Sequence, residues 1–181
     1  MAVTRLITAH DAPVLADLQQ ANREFLAPWS PRRDPRHITL EGQRRAIADA
    51  LAQHARGTAL PHVIVSDGAV VGRVTLSDIT RGTFSSCHLG YWLSQSHNGR
   101  GLATAAVAEI LEVAFSELGL HRVEAGTMPH NVRSRAVLER NGFARFGYAP
   151  AYLMIAGEWQ DHVLYQALNP SHCAPGEGVP R

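Results

Sequence analysis

The sequence predicts one mixed α/β domain whose middle strands run antiparallel. The 181 residues are 45% apolar and 18% charged, which is an ordinary globular balance with enough chain for one sizeable core. β-branched runs alternate with segments of helical spacing along the chain, so both kinds of element are expected. Two of those runs are joined by Asp67-Gly68, a dipeptide typical of the tight turn between antiparallel strands.

The N-terminal third predicts one strand and two helices. Residues 3–8 alternate as a short strand, and Asp11 can cap a helix that begins near Pro13. Residues 25–36 are rich in proline and arginine, so we expect a loop there. Thr39 is then the predicted N-cap of a second helix.

The remainder of the chain predicts six more strands and two more helices. In order, these are strands at 62–66, 69–76 and 84–94, a helix to about Leu118, a strand at 121–127, a helix that stops at Gly142, and strands at 152–155 and 159–168. Residues 1–168 are expected to form a single domain. Residues 169–181 are rich in proline and glycine, and we expect a flexible C-terminal tail.

Composition and charge exclude several classes of function. A formal net charge of +1 gives no reason to expect direct nucleic-acid binding. All 17 basic residues are arginine, which excludes a lysine nucleophile and the phosphate-binding lysine of a Walker loop. The ten histidines and two cysteines show no metal-ligand spacing, so no metal is expected.

The sequence also predicts a cytoplasmic protein. Two cysteines, Cys87 and Cys173, are too few for a disulfide framework in a chain of this size, so reduced thiols are expected. The first residues have no apolar signal core, and no apolar run approaches membrane-spanning length. We therefore expect no membrane partner.

A glycine-rich turn at residues 98–103, NGRGLA, precedes a long alanine-rich helix. A Walker loop is absent, and a dinucleotide fingerprint fits poorly because the third glycine is missing and antiparallel strands precede the turn. A pyrophosphate site fits better, since small residues let phosphates approach the backbone and a helix N-terminus attracts anions. On this segment alone, two glycines in an ordinary turn remain the alternative.

A second segment, residues 128–143, supports the pyrophosphate interpretation. Together the two segments resemble the GNAT superfamily of acetyl-CoA-dependent N-acetyltransferases, whose turn has the pattern Q/R-x-x-G-x-G/A. Asn98 replaces the Gln or Arg of that pattern and keeps a polar side chain. The family's later N-x-x-S pattern matches Asn131 and Ser134, before a helix that ends in Gly142-Phe143.

Four segments, at 21–34, 80–93, 128–134 and 152–165, resemble more narrowly the RimJ/RimL-like branch of ribosomal-protein-alanine N-acetyltransferases. This resemblance implies the GNAT fold, a mixed and mostly antiparallel sheet of six to seven strands with about four flanking helices. It implies acetyl-CoA as co-substrate and the N-terminal alanine of a ribosomal protein as acceptor, with direct attack in a ternary complex. The protein is then expected to be a monomer or a homodimer.

The resemblance also implies a set of CoA-binding residues. The pyrophosphate is held by the backbone of Asn98, Gly99, Arg100, Gly101, Leu102, Ala103 and Thr104. Strand residues near Leu93 align the pantetheine arm, where a freed backbone N–H polarises the thioester oxygen. Asn131 hydrogen-bonds the pantetheine or caps a helix, and both roles are compatible. Ser134 contacts the thiol as the candidate general acid; its alternative is a surface serine in a first helical turn.

The proton acceptor is less defined. An N-terminal amine has a pKa of roughly 7.7–8.0, so a water chain suffices to deprotonate it. His88 stands where RimL-like relatives have a glutamate and can accept a proton through water, although a structural histidine packed on the sheet is the favoured interpretation. Glu24 is a second candidate base. A tyrosine acts as the acid in other branches, so Tyr148 and Tyr152 are alternatives to Ser134.

The acceptor groove is expected between residues 25–36 and the final hairpin, with Trp29, Tyr91 and Tyr152 facing the substrate. Trp29 alternatively covers the core. Arg32, Arg33 and Arg36 of the loop are a solvated cluster by default, with contact to acidic ribosomal surface or RNA as the alternative. Two other functions remain open. A small-amine or antibiotic N-acetyltransferase would need a closed pocket, and a ribosome-associated assembly or binding factor would bind ribosomes without catalysis.

Overall fold

The computed structural model describes residues 2–172 and contains seven strands. They are β1 (Thr4–Leu6), β2 (Leu60–Ser66), β3 (Ala69–Thr80), β4 (Ser86–Leu93), β5 (Arg122–Thr127), β6 (Ala144–Ile155) and β7 (Glu158–Leu168). All seven form one sheet in the order β1-β2-β3-β4-β5-β7-β6. Each neighbouring pair is antiparallel except β4 and β5, which are parallel. The predicted mixed, mostly antiparallel sheet is confirmed.

Five α-helices flank this sheet within the described residues. They are α1 (Ala12–Ala21), α2 (Arg23–Leu26), α3 (Leu40–Ala55), α4 (Leu102–Glu112) and α5 (Val132–Arg140). A π-helical turn, Val113–Glu117, continues α4. The sequence predicts four helices, and the fifth is the single turn of α2. None of the helices in this part of the chain is long and apolar enough to cross a membrane.

Helices α1 and α3 pack on one face of the sheet, and α4 and α5 on the other. On the first face, Leu15 and Ile47 are buried with Val63 of β2. On the second face, Ile110 and Leu138 are buried in a larger apolar cluster with residues of β2 to β5 and β7. The central strands are therefore covered on both sides by helices.

The predicted loop at 25–36 is partly helical. It holds the end of α2 and the 3₁₀ turn Ala27–Trp29, and a second 3₁₀ turn follows at Pro35–Ile38. Each 3₁₀ turn has a proline in its first two positions, where the fixed proline φ suits a helical start and no N–H is needed. Proline here begins short helical turns, so the prediction of an unstructured loop is wrong at these positions.

Two of the predicted helix caps differ in their chemistry. Thr39 caps α3 as predicted, because its hydroxyl accepts a hydrogen bond from Gly42 N at 3.1 Å. Asp11 lies at the N-cap of α1, but its carboxylate does not cap that helix. It accepts from the Arg5 guanidinium at 2.6 Å and from Thr8 N at 2.7 Å, so it joins the end of β1 to α1 and shortens the predicted strand.

The segment after β7 begins with a buried residue and continues exposed. Asn169 is buried, its side chain donates to Leu120 O at 3.0 Å, and an exposed 3₁₀ turn follows at Pro170–His172. The predicted domain end at 168 stays a prediction. The predicted tail from 173 onward, including Cys173, lies outside the described residues. Cys87 is a buried free thiol, and burial raises its pKa to about 12.

Candidate active site

A cleft opens between the parallel strands β4 and β5, and we call it the cleft below. These strands pair only where Ser86, Cys87 and His88 face Arg122, Val123 and Glu124. Beyond His88 the strands separate, and β4 has no ladder partner on its β5 side. A cavity of about 440 Å³ opens there, lined by β4 from Leu89 to Leu93, by β5 from Ala125 to Thr127 and by the start of α5. Since the unpaired β4 backbone faces the cavity, it can donate an N–H to a bound carbonyl.

The glycine-rich turn borders one end of this cleft. Gly99 and Gly101 both have φ of +77°, and Gly101 is the N-cap of α4. A second cavity of about 600 Å³ lies over this turn, and an ideal Cβ on either glycine would meet no atom within 4 Å. The exposed backbone and the N-terminus of an 11-residue helix together suit a pyrophosphate.

Side chains of α5 add positive charge to the phosphate cavity. Arg133 and Arg140 both line it, and their spacing of seven residues places them on the same face of the helix. The sequence analysis missed both, although this spacing was visible. Arg100 is exposed and does not line the cavity. Asn98 donates its side-chain amide to Ser94 O at 3.3 Å and Gln95 O at 3.2 Å, so it also holds the turn.

The remaining predicted CoA contacts lie along the same path. Leu93 and Asn98 line both the cleft and the phosphate cavity. Leu102, Ala103 and Thr104 line the phosphate cavity from the first turn of α4. The cleft and the phosphate cavity are therefore continuous, and an extended molecule with an anionic end fits them.

Ser134 and Tyr91 form a hydrogen-bonded pair inside the cleft. The Tyr91 hydroxyl lies 2.9 Å from Ser134 Oγ and donates to Ser134 O at 3.1 Å. Burial raises the pKa of Tyr91 to about 12, against the smaller opposing effect of Ser134. The phenol therefore stays protonated at neutral pH and can keep a proton available to Ser134. The sequence analysis assigned Tyr91 to the acceptor, but its hydroxyl faces α5 instead.

Asn131 acts as the N-cap of α5. Its side-chain oxygen accepts from Ser134 N at 3.1 Å, which fixes the first turn of the helix and with it the position of Ser134. The helix-cap alternative is thus observed. Asn131 also lines the cleft, and its amide N–H₂ is the group that could donate to the pantetheine.

The two predicted bases lie outside the cleft lining. His88 is on β4, three residues before Tyr91, so the alternation of a strand points it to the opposite face. Its ring nitrogens are 3.6 Å from Glu124 and 3.7 Å from Asp78, longer than hydrogen bonds. Glu24 is exposed on α2. Neither side chain lines the cleft with Ser134.

Trp29 and His130 line the cleft where the sequence predicts the acceptor, and this part is called the acceptor end below. Their ring centroids are 5.5 Å apart, and both residues line the cavity. The sequence analysis missed His130 because it precedes Asn131 in a loop and has no spacing signal of its own. Among the described lining residues, it is the one imidazole, the side chain that most often serves as a general base.

Of the two other predicted tyrosines, Tyr152 lies at the rim of the cleft, near Gly126 of β5. It is 42% exposed, and its ring stands 5.6 Å from that of His162. The Tyr148 hydroxyl donates to Asp161, and this bond raises the pKa of Tyr148. Neither hydroxyl lines the cleft. Within residues 2–172, no group of three or more metal-ligating side chains is present.

Residues 3–144 match the family model of the acetyltransferase (GNAT) domain, and the chain belongs to this family. It is an N-acetyltransferase that uses acetyl-CoA as co-substrate. It is 37% identical over 176 residues to the [ribosomal protein uS5]-alanine N-acetyltransferase of Escherichia coli (strain K12), covering 96% of this chain and 90% of that protein.

Two solved structures share the fold of this chain closely. RimJ of Mycobacterium smegmatis in complex with CoA-disulfide has a TM-score of 0.90 and 34% identity, covering 93% of this chain and 82% of that one. The ribosomal-protein-S5-alanine acetyltransferase from Vibrio fischeri has a TM-score of 0.89 and 34% identity, covering 94% of both chains. The predicted GNAT fold, enzyme class and family branch are confirmed.

Proposed function

We propose that this enzyme acetylates the α-amino group of an N-terminal alanine on a ribosomal protein. The observation that supports a peptide acceptor is that the cleft does not end at the reaction centre. It shares Leu26 and Trp92 with a further cavity of about 420 Å³ on the α1–α3 face, so an extended chain can continue past the amine. The E. coli and V. fischeri relatives support the choice of alanine and of uS5 as first candidate.

In the proposed reaction, the neutral amine attacks the thioester carbonyl directly in a ternary complex. The new C–N bond forms as the C–S bond breaks, and the amine gives up one proton. His130 receives that proton, directly or through one water. The unpaired β4 backbone donates to the carbonyl oxygen as negative charge develops there.

Ser134 donates its hydroxyl proton to the departing sulfur. The single Tyr91 hydroxyl proton, which is donated to Ser134 O in the structure, turns to Ser134 Oγ at the same time, so Ser134 does not develop a full negative charge. Solvent then returns to Ser134 the proton that it gave to sulfur. The Tyr91–Ser134 distance of 2.9 Å is within the range for such a transfer. Asn131 keeps Ser134 in place through the helix cap.

A turnover screen tests the acceptor. Release of free CoA thiol is measured with peptides that begin with alanine, with the same peptides blocked by an Nα-acetyl group, and with antibiotic amines. We expect turnover of the free alanine peptides alone. If the antibiotic amines react and the alanine peptides do not, the acceptor is a small amine. If no amine reacts but the protein sediments with ribosomes, it is a binding factor.

His130→Gln is expected to lower kcat/KM for the peptide by about 10–100-fold, in keeping with the loss of a general base. The KM for acetyl-CoA should not change, because His130 is at the acceptor end of the cleft. His10→Gln, on an exposed histidine far from the cleft in sequence and fold, is the matched control. A loss in His88→Gln with full activity in His130→Gln would instead assign the base to His88.

The cytoplasmic location and the monomer or homodimer state are part of the same proposal. A cytoplasmic location and a small oligomer are both compatible with a ribosomal-protein substrate. Size-exclusion chromatography with light scattering measures the oligomeric state directly.

A further inference from the structure

A cavity rich in arginine adjoins the acceptor end of the cleft. It has a volume of about 420 Å³ and lies between the segment after α2 and the turn from β6 to β7. Its charged or titratable lining side chains are Arg23, Arg32, Arg33, Arg73, His37 and Asp34. We call it the arginine cavity. Leu26 and Trp92 line both it and the cleft.

Arg73 lies at the floor of the arginine cavity. It stands in the middle of β3, opposite Val63 of β2 and Trp92 of β4, and its side chain is half-buried. Its guanidinium has no hydrogen bond or ion pair with any other described residue. Burial lowers the pKa of Arg73, and the charge of Arg33 lowers it further. A strand-centre position of this kind usually holds an apolar residue, because an unpaired buried charge costs free energy.

The other groups in the cavity leave this positive charge unbalanced. Asp34 is the one lining carboxylate among the described residues. It already forms an ion pair with Arg36, whose Nη2 lies 2.7 Å from Asp34 Oδ2. Arg33 lies 3.2 Å from His37 Nε2. Burial, followed by Arg33 and then Arg73, lowers the pKa of His37, so this imidazole is neutral at pH 7. Four guanidinium groups therefore face the cavity without an acidic partner.

The walls of the arginine cavity are tied to one another. Ala156 N in the β6–β7 turn donates to Ser30 O at 3.0 Å. The Arg32 guanidinium packs on Gly157, where an ideal Cβ would stand 2.6 Å from Arg32 Nε. These contacts hold the two segments together over the cavity and place Arg32 at its edge, while Arg23, Arg32 and Arg33 all remain exposed to an incoming ligand.

We propose that the arginine cavity binds the carboxylate of an acidic side chain close to the N-terminus of the acceptor peptide. This inference rests on the proposed peptide acceptor and names a specificity determinant for it. Two or more guanidinium groups suit a carboxylate, which accepts paired N–H donors. A ligand carboxylate would supply the counter-charge that the protein itself does not provide to Arg73.

The distance limits where the acidic residue stands. Arg73 is the cross-strand partner of Trp92, the neighbour of Tyr91, so about 6 Å separates the Cα atoms of Arg73 and Tyr91. An extended peptide covers this distance in about two residues, at ~3.4 Å per residue, and the path is longer for a ligand because the two side chains point to opposite faces of the sheet. The acid is therefore expected between positions 2 and 5 of the acceptor.

The test uses alanine-initiated peptides that carry a single Glu or Gln at position 2, 3, 4 or 5. For the wild type, KM is expected to be about 10-fold lower for Glu than for Gln at one or two adjacent positions, and the difference should shrink in high salt. Arg73→Met should abolish this preference and leave KM for acetyl-CoA unchanged. Arg45→Met, on an exposed arginine of α3 outside the cavity, should keep it.

The free energy of unfolding of the Arg73→Met variant distinguishes a binding role of Arg73 from a structural one. Arg73→Met removes an unpaired, half-buried charge and keeps most of the side-chain length, so its free energy of unfolding should equal or exceed that of the wild type. A less stable Arg73→Met variant would show that Arg73 serves the fold and would overturn the proposal.

Binding to the CoA-loaded enzyme is measured by calorimetry for the same peptides. If alanine peptides are acetylated with no Glu preference in KM or affinity, the arginine cavity proposal is wrong and the proposed function stands. If no peptide is acetylated but Glu peptides bind through Arg73, the arginine cavity does bind a carboxylate and the proposed function is wrong. Tighter Arg73-dependent binding of a short RNA or of inorganic phosphate than of Glu peptides would also overturn the proposal.

Discussion

Gly101→Val is expected to raise the Kd for acetyl-CoA by at least about 100-fold. Gly101 is the N-cap of α4, has φ of +77° and lines the phosphate cavity with its backbone. A valine side chain there would enter the space where phosphates approach the helix N-terminus. Loss of two charge-assisted hydrogen bonds is enough for this factor, since each ~1.4 kcal/mol changes Kd tenfold.

Gly57→Val is the matched control for backbone strain. Gly57 has φ of +71°, and, as at Gly101, no atom lies within 4 Å of an ideal Cβ. Both substitutions place a β-branched residue in a left-handed conformation, at a cost of about 1–3 kcal/mol in stability. Calorimetric titration should show normal affinity for Gly57→Val. Equal affinities for the two variants would mean that the glycine turn does not hold the pyrophosphate.

The sequence predicts the local structure of the glycine-rich turn and of the α5 cap well because its determinants are local. The turn at 98–103 and the cap at Asn131 each depend on residues within one or two helical turns. Backbone conformation, helix start and small side chains together define where phosphate can approach. The same local chemistry correctly predicted Thr39 as an N-cap.

The acceptor side depends on contacts that no local pattern encodes. Asn22, between α1 and α2, accepts from Gln95 N at 2.8 Å, 73 positions away. This bond attaches the acceptor segment to the end of β4. Trp29 and His130 meet only because two distant loops pack together. His88 and Tyr91 were both placed on β4, but strand alternation alone does not say which face of the sheet lines the cleft.

Charge patterns predicted only part of the arrangement for a similar reason. The arginines after α2 are predicted as a solvated cluster, and Arg32, Arg33 and Arg36 are indeed exposed, whereas Arg73 has the pattern of an ordinary strand residue. The fold brings Arg73 and Arg33 to one cavity. Their shared, unbalanced charge appears only after β3 and the loop are assembled.

Ser134→Ala is expected to lower kcat and kcat/KM together by about 10–100-fold. In the proposed reaction Ser134 donates to the departing sulfur, so its hydroxyl should act mainly in the transition state and KM for acetyl-CoA should change little. General acid catalysis contributes ~10²–10⁴-fold in typical enzymes. The expected loss is at or below the low end, because a free thiol has a pKa of about 8.5 and its thiolate leaves fairly well unaided. Ser116→Ala, on an exposed serine of the π-helical turn, is the control.

Variants of two neighbours of Ser134, Tyr91 and Asn131, distinguish proton donation, which affects kcat, from acetyl-CoA binding, which affects KM. Tyr91→Phe should lower kcat by about 10-fold or less, because Ser134 keeps its hydroxyl and loses only the phenol that donates to it. Asn131→Ala should raise KM for acetyl-CoA and also lower stability by about 1 kcal/mol through the lost cap. Asn131→Asp keeps a cap acceptor for Ser134 N but loses the amide donor, so it should raise KM at unchanged stability. Full kcat in Ser134→Ala, with kcat reduced in Tyr152→Phe, would move the acid to the rim tyrosine and leave Ser134 as the first-turn residue of α5.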